Sequence, residues 1–200
     1  MAITINGTGT ITGLTAGGLP DGSITTDDLA ANAVTAAKLA AGAGGKILQV
    51  VTTDYTGVFN TSSANTWTQV SGLDCSINLA SSSSRVLVIA SLGQVSQTGS
   101  ISGTAWDIRR DGTAILQGVA ASSRIPCTFK VGSIDQSHSM AMTFTGIDSP
   151  GSSGSKTYQI YCRAQGGSTL YLNRTAINTD SSDSYEARPA SHLTLLEIAS

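Results

Sequence analysis

The segment Ser23–Gly42 reads SITTDDLAAN AVTAAKLAAG, which is one ten-residue unit written twice. Similar residues occupy the matching positions of the two copies: Ile24 and Val34, Thr25 and Thr35, Leu29 and Leu39. Thr25 is a favourable N-cap residue, and Asp28 three residues later completes a capping box. Each copy therefore predicts a short helix that ends at the Asn or Gly closing the unit.

Helices this short need a partner surface, because isolated short helices are only marginally stable in water. The alanine-rich faces with single Ile, Val and Leu side chains favour close packing of identical chains about an axis. The alternative is a single helix over residues 26–41 that packs on the rest of the domain. The residues alone leave both arrangements open.

The pattern GSITTDDLAANAVTAAKLA, residues 22–40, resembles the shaft repeats of tailed-bacteriophage fibre proteins. The resemblance covers residues 22–42 well and residues 1–21 loosely. It implies a homotrimer, made in the host cytoplasm and located in the virion, with an attached N-terminus and a distal C-terminal head. Related repeats in decoration proteins leave an alternative, a capsid decoration (cement) protein that stabilises the head.

Composition excludes several classes of function. Charged residues are 12% of the chain, about half the usual share, and 40% of residues are hydrophobic. The net charge is −2 and there is no basic run, so we expect no nucleic-acid binding through phosphates. No apolar run approaches the roughly 20 residues of a membrane span, and the sequence MAIT at the start lacks signal-peptide features.

After the linker at residues 43–45, short apolar alternations predict eight to ten strands at the spacing of a β-sandwich. They fall at residues 47–51, 67–70, 75–79, 85–92, 105–110, 114–117, 140–144, 158–164, 170–172 and 193–198. Asp111-Gly112 predicts a two-residue hairpin turn. The fold class is all-β: an antiparallel β-sandwich (jelly roll) head preceded by an extended N-terminal arm and short helical repeats.

The C-terminal half also resembles the trimeric jelly-roll heads of phage fibres and of the tumour-necrosis-factor and complement-head families. The resemblance rests on the Tyr-x-Ile-x-Cys strand at residues 158–162 and on the apolar final strand His192–Ile198. The chain thus divides into a virion-attachment arm (1–22), the tandem repeat with its linker (23–45) and the head (46–200).

The arm has too few apolar residues for a core of its own, so it needs a partner surface, with simple disorder as the alternative. We expect it to dock on another virion protein of the tail, neck or capsid through four side chains: Ile3, Ile5, Ile11 and Leu14. The predicted trimer interface combines the repeat with residues 86–92, a strand apolar on both faces. Its members are Ile24, Leu29, Val34, Leu39, Val86 and Val88.

No motif for catalysis or for a cofactor stands out, and we expect neither an enzyme nor a bound cofactor or metal. The three cysteines are widely spaced, which suggests neither a disulfide framework nor a zinc site. His138 and His192 are far apart in sequence. An acidic group at Asp180, Asp183 and Glu186 lacks the spacing of a calcium loop.

Any host ligand, a surface glycan or a protein, is expected on a loop, because strands are committed to packing. Three polar loops qualify, residues 94–104, 148–155 and 173–189, and the third is the longest. It carries the predicted ligand residues Asn173, Arg174, Tyr185 and Arg188. The aromatic residues open to a role in sugar stacking or in packing are Tyr55, Phe59, Trp67, Tyr171 and Tyr185.

Overall fold

The structure is a computed structural model that describes residues 4–5, 11–12, 22, 24–31, 33–35, 38, 45–99, 102–136 and 138–199. The chain divides into two compact units, Met1–Gly44 and Gly45–Ser200. The separate roles of arm, repeat and head stay predictions. Within the described ranges, none of the helices combines the length and the apolar character that a membrane span requires.

The N-terminal unit contains two short strands, β1 (Thr4–Ile5) and β2 (Ile11–Thr12), which pair antiparallel. The two strands therefore run in opposite directions, and the predicted extended arm, residues 1–22, which lies mostly outside the described residues, stays a prediction. Ile5 lies opposite Ile11, and their docking role stays a prediction. The other two predicted docking residues, Ile3 and Leu14, lie outside the described residues.

The first decapeptide forms one turn of 3-10 helix, Thr26–Asp28, with Thr25 as its N-cap. The Asp28 carboxylate accepts hydrogen bonds from the backbone N–H of Thr25 at 2.9 Å and from its hydroxyl at 2.8 Å. These two bonds lower the pKa of Asp28 below its ordinary value. Leu29 has extended backbone angles, so the helix ends there and the alternative of one helix over residues 26–41 is wrong.

The second copy contains a matching backbone hydrogen bond. The backbone N–H of Lys38 donates to the Thr35 carbonyl at 2.9 Å, as the N–H of Asp28 donates to the Thr25 carbonyl at 3.2 Å ten residues earlier. In each described copy the apolar side chains are about half exposed: Ile24, Leu29 and Val34. Their interface role stays a prediction, and Leu39 lies outside the described residues.

The described head forms eleven strands. In chain order they are β3 (Ile47–Tyr55), β4 (Phe59–Thr61), β5 (Trp67–Leu79), β6 (Arg85–Gln97), β7 (Ser102–Arg110), β8 (Thr113–Ile115), β9 (Phe129–Ile134), β10 (Met140–Asp148), β11 (Gly154–Arg163), β12 (Leu170–Leu172) and β13 (Ser191–Ile198). The strands pair antiparallel throughout, which confirms the predicted all-β antiparallel class.

The strands form two sheets that pack face to face as a β-sandwich. In the six-stranded sheet, β3, β13, β6 and β10 lie side by side, and the short strands β12 and β4 continue beside the far end of β6. In the five-stranded sheet, β5, β11 and β7 lie side by side, and both β8 and β9 pair with the outer edge of β7.

The core lies between the two sheets and takes alternate residues from each strand. Its fully buried members include Leu73, Ile77, Val86, Val88, Leu92, Trp106, Ile108, Tyr158, Ile160, Leu193 and Leu195. Val86 and Val88 are 0% exposed within a single chain, so they have no surface to offer a sister chain. This burial corrects their predicted place in a trimer interface. The residues of β6 that face outward are Leu87 and Ile89, which are half-buried.

An aromatic stack connects the two sheets inside the core. The ring centroid of Phe129 on β9 lies 6.1 Å from that of Trp106 on β7 and 5.7 Å from that of Phe144 on β10. The three rings are nearly parallel, an offset arrangement that adds to the gain from burying their surface. Because β7 and β9 belong to one sheet and β10 to the other, the stack fixes their spacing at this edge.

Two predicted features differ from the structure in extent. The strands predicted at 67–70 and 75–79 form the single strand β5. Its register with β11 shifts near Gly72, which adopts a φ of 87°, but the pairing continues on both sides of the shift. The polar loop predicted at 94–104 is mostly strand, since β6 runs to Gln97 and β7 begins at Ser102. It is therefore too short to be a ligand loop.

Glu197 on β13 ties the two sheets together at the edge formed by β3 and β5. Its carboxylate accepts hydrogen bonds from Gln49 Nε2 at 2.5 Å and from the backbone N–H of Ala80 at 2.8 Å. Burial raises the pKa of Glu197, but the hydrogen bonds, first that from Gln49, outweigh it and leave the pKa below its ordinary value of 4.5.

We therefore expect Glu197 to stabilise the fold at neutral pH and to lose this contribution in acid. A carboxylate whose folded-state pKa is lowered binds protons more readily in the unfolded state, so stability falls once the pH drops below about 4.5. Denaturant unfolding between pH 3 and pH 7 should show a steeper acid decline for the wild type than for Glu197→Gln. The exposed Asp180→Asn is the control; an equal decline in all three proteins would contradict the assignment.

Candidate functional site

The predicted ligand loop, residues 173–189, is anchored to the protein interior by the side chain of Asn173, which is 1% exposed. Its side-chain amide donates to the carbonyls of Tyr55 and Gly57, each at 2.9 Å, and its carbonyl oxygen accepts from the Ser191 hydroxyl at 2.6 Å. All the bonding groups of this side chain are therefore occupied inside the protein. The prediction that Asn173 contacts a ligand is wrong, because burial removes it from the surface.

The other predicted ligand residues do not converge on one site. The Arg174 guanidinium stacks over the Tyr171 ring at 4.2 Å and donates to backbone carbonyls of its own loop. Arg188 is exposed and donates to the side-chain oxygen of Asn178. The backbone of Tyr185 lies in a 3-10 turn, and its side chain is outside the described part of the structure. A ligand role for these three residues stays a prediction.

We expect Asn173→Ala to lower the free energy of unfolding by about 3 kcal/mol, because it leaves buried partners unpaired and places alanine at a φ of 61°. Asn178→Ala is a matched control, since Asn178 has a φ of 55° but is exposed. Its expected loss is below 1 kcal/mol. Chemical denaturation measures both; equal losses for the two variants would contradict the structural role of Asn173.

Two members of the acidic group, Asp180 and Glu186, line a cavity of about 370 Å³ together with Arg188. Glu186 is buried there and accepts a hydrogen bond from the Thr175 hydroxyl at 2.5 Å. Among the described residues, no group of three or more His, Cys, Asp or Glu side chains is arranged to hold a metal ion. The loop therefore presents a mixed polar surface without a recognisable chemical centre.

The histidines each pair with an aspartate on the surface. Nδ1 of His138 lies 2.9 Å from Asp135, and Nδ1 of His192 lies 2.8 Å from Asp54. Ser91 lies opposite His192 in the sheet, but its hydroxyl accepts a bond from Thr143 at 3.2 Å. Among the described residues, no side-chain hydrogen bond joins Ser91 to His192, whose Nδ1 pairs with Asp54 instead. The absence of enzyme activity stays a prediction.

The outer side of the six-stranded sheet carries a continuous row of apolar side chains. This row crosses four strands in register, from Val50 through Leu196 and Leu87 to Ile147. Strand alternation adds neighbours on the same side, and together these residues form the apolar face: Leu48, Val50, Leu87, Ile89, Ile147, Leu196 and Ile198. Val50 is 57%, Leu48 48% and Ile147 47% exposed in the single chain.

Single exposed apolar residues are common on protein surfaces, whereas contiguous exposed apolar patches often mark interaction sites. The apolar face is therefore a candidate contact surface. The sequence indicated that the 86–92 strand is apolar on both sides, but not which side faces the core. The strands β3, β6 and β13 each contain consecutive apolar residues, so each is apolar on both sides. This pattern in the sequence could have located the apolar face.

Comparisons with known proteins give little further information. No protein family and no curated protein matches the chain. Among solved structures, the chain is similar to a chain in the structure of the infectious bursal disease virus Gx strain, with a TM-score of 0.30 and 15% identity. The match covers 76% of this chain and 37% of that one, so the chain spans well under half of its length. A similarity at this level carries no argument about function.

Proposed function

We propose that the chain is a virion structural protein: a homotrimeric fibre or appendage of a tailed bacteriophage, anchored by its N-terminus, whose C-terminal head contacts the host surface. The apolar face carries this proposal. Its seven side chains lie on β3, β6, β10 and β13, which are far apart in the sequence. They therefore form one surface only in the folded sheet. Closed cyclic assembly would cover the same surface on every subunit.

The strand order supports a jelly roll for the head. If the eight main strands are named A to H in chain order, the first sheet reads A-H-C-F (β3, β13, β6, β10) and the second B-G-D-E (β5, β11, β7, β9). This is the order of two interleaved Greek keys. It agrees with the resemblance of the C-terminal half to trimeric jelly-roll heads.

The repeat segment provides a second observation that favours assembly. Its described apolar side chains are exposed in the single chain, and the turns of its two copies recur ten residues apart. A turn this short contributes little stability by itself. Sister chains that pack the same side chains about a common axis would cover them, as in the fibre shafts that the segment resembles.

Electron microscopy of virions labelled with antibody to this protein tests the proposal. We expect label on a thin appendage of the tail, neck or head, at a fixed distance from its base. Label spread evenly over the capsid would instead indicate a decoration protein. Absence of the protein from purified virions would contradict both functions.

A further inference from the structure

A second surface of the head, on the five-stranded sheet, contains a cavity of about 480 Å³. The start of β7, the start of β9, the end of β11 and the loop before β5 meet there. The residues that define its chemistry are Asn65, Gly103, Cys127, Lys130, Arg163 and Gly166. This volume lies within the ordinary range of small-molecule sites.

Two glycines allow the residues that border this cavity to pack closely against the backbone. At Gly103 an added Cβ would lie 2.7 Å from Cε of Lys130 and 2.7 Å from the carbonyl oxygen of Val131. At Gly166 it would lie 3.3 Å from Nδ2 of Asn65. The lysine stem and the asparagine amide therefore border the cavity directly, with no intervening side chain.

The lining is cationic, although the chain as a whole has a net charge of −2. Lys130 and Arg163 line the cavity, and its described lining includes no Asp or Glu. Nε of Arg163 donates to the Asn65 carbonyl at 2.8 Å, which fixes the guanidinium and leaves its two terminal nitrogens without a protein partner among the described residues. Lys130 forms no ion pair among the described residues. Both cations lie opposite Ala105 in register, one on each neighbouring strand, and a fixed guanidinium that shares a cavity with an ammonium group suits a bidentate anion.

Aromatic side chains lie next to these cations on the same side of the sheet. Arg163 lies opposite Trp67 in register, and Tyr161 precedes it on that face. The Arg109 guanidinium lies 4.1 Å from the Tyr161 ring centre and 5.7 Å from that of Trp67, which holds both rings in place. Both rings are half-buried, so part of each remains open to a ligand.

We propose that this cavity binds an anionic saccharide, with Arg163 and Lys130 holding the acidic group and Trp67 packing against a neighbouring sugar ring. The acidic group is a carboxylate or a phosphate on the sugar, and either fits the paired cations. The Asn65 amide supplies a hydrogen bond to a sugar hydroxyl. Only the interpretation of this saccharide as a cell-surface component rests on the proposed function.

Binding by the purified full chain tests the proposal without a virion. The probes for titration calorimetry are a glucuronic acid–N-acetylglucosamine tetrasaccharide, glucose 6-phosphate, and the neutral N-acetylglucosamine tetrasaccharide. We expect an acidic probe to bind and the neutral one to bind at least tenfold more weakly. Arg163→Ala should weaken acidic binding about tenfold or more, and the exposed Lys130→Ala should weaken it several-fold. Arg188→Ala on the 173–189 loop is the matched control and should leave it unchanged.

Cys127 provides a second readout that does not depend on the folding of Arg163→Ala or Lys130→Ala. It is half-buried and lines the cavity, while Cys75 and Cys162 are buried. Burial raises the pKa of the Cys127 thiol, so labelling is followed at pH 8.5, where more thiolate is present. We expect one thiol to react with a maleimide, none in Cys127→Ser, and slower reaction when the acidic probe is bound.

The outcomes separate this inference from the proposed function, because the cavity and the apolar face lie on different sheets. The site is supported if binding of an acidic probe depends on Arg163 and Lys130 and if the bound probe protects Cys127 from labelling. Which of the two acidic probes binds shows whether the site prefers a carboxylate or a phosphate. Equal binding of neutral and acidic probes, loss through Arg188→Ala instead, or no binding at millimolar concentration overturns it, whatever the oligomeric state.

Discussion

Val50→Lys will convert the assembled protein to a monomer. Val50 is the most exposed member of the row that crosses the apolar face, so the proposed trimer would bury its side chain against a sister chain. An unpaired ammonium group in that contact loses its hydration without gaining a partner, a cost of several kcal/mol. The substituted side chain points away from the core, so the fold of the single chain is expected to persist.

Val119→Lys is the control for this effect. Val119 is 95% exposed in the loop between β8 and β9, so the same substitution there changes charge and volume without touching the apolar face. Sedimentation velocity should give a monomer for Val50→Lys and the wild-type species for Val119→Lys. Circular dichroism should show β structure in both. Retention of the wild-type mass by Val50→Lys would exclude the apolar face as the subunit contact.

Asp148→Asn will lower the free energy of unfolding by about 3 kcal/mol, the lower end for breaking a buried ion pair. Oδ2 of Asp148 accepts hydrogen bonds from the Arg110 guanidinium and from the Tyr158 hydroxyl, the latter at 2.7 Å. Asp148 belongs to the six-stranded sheet and its partners to the other, so the carboxylate ties the two sheets together. The amide leaves a partly buried guanidinium without its counter-charge.

Tyr158→Phe separates the charge from the neutral hydrogen bond. Burial, followed by the bond to Asp148, raises the pKa of Tyr158, so its hydroxyl stays protonated and donates at every pH of interest. Removing that donor alone should cost about 1 kcal/mol. Denaturant unfolding at neutral pH measures both variants. Equal stability of Asp148→Asn and the wild type would show that the pair contributes nothing to the fold.

Local signals in the sequence predicted much of the head. Asp111 and Gly112 both adopt positive φ values, 51° and 81°, as the predicted two-residue hairpin requires. Strict alternation located the strands at residues 158–164 and 193–198. In contrast, the strand Phe129–Ile134 was not predicted. Its apolar positions are interrupted by Lys130, Gly132 and Ser133, and its pairing partner β7 lies some 25 residues earlier along the chain.

The wrong predictions of ligand and interface residues have a common cause, which is contact between parts of the chain that are far apart in sequence. Asn173 looked like a ligand residue because it is polar and lies in a loop, but its amide partners are carbonyls more than 110 residues away. The sequence does not show whether Val86 and Val88 or Leu87 and Ile89 face the core, since all four residues are apolar and suit a β-strand. Only pairing with β13 and β10 sets which pair faces the core.

The cationic cavity could not be predicted at all from the sequence. Its lining comes from segments near residues 65, 103, 127 and 163, and none of them carries a motif. Trp67 was one of five aromatic residues open to a role in sugar stacking. The sheet register that places it opposite Arg163 distinguishes it from the others.

Light scattering coupled to size-exclusion chromatography of the wild-type chain at micromolar concentration measures the mass of the assembly and so tests whether the chain is a trimer. The apolar face and the exposed repeat side chains predict a single species of three times the 20.3 kDa chain mass. A monomer under these conditions would leave the apolar face uncovered and would contradict the account of this chain as a homotrimeric virion protein.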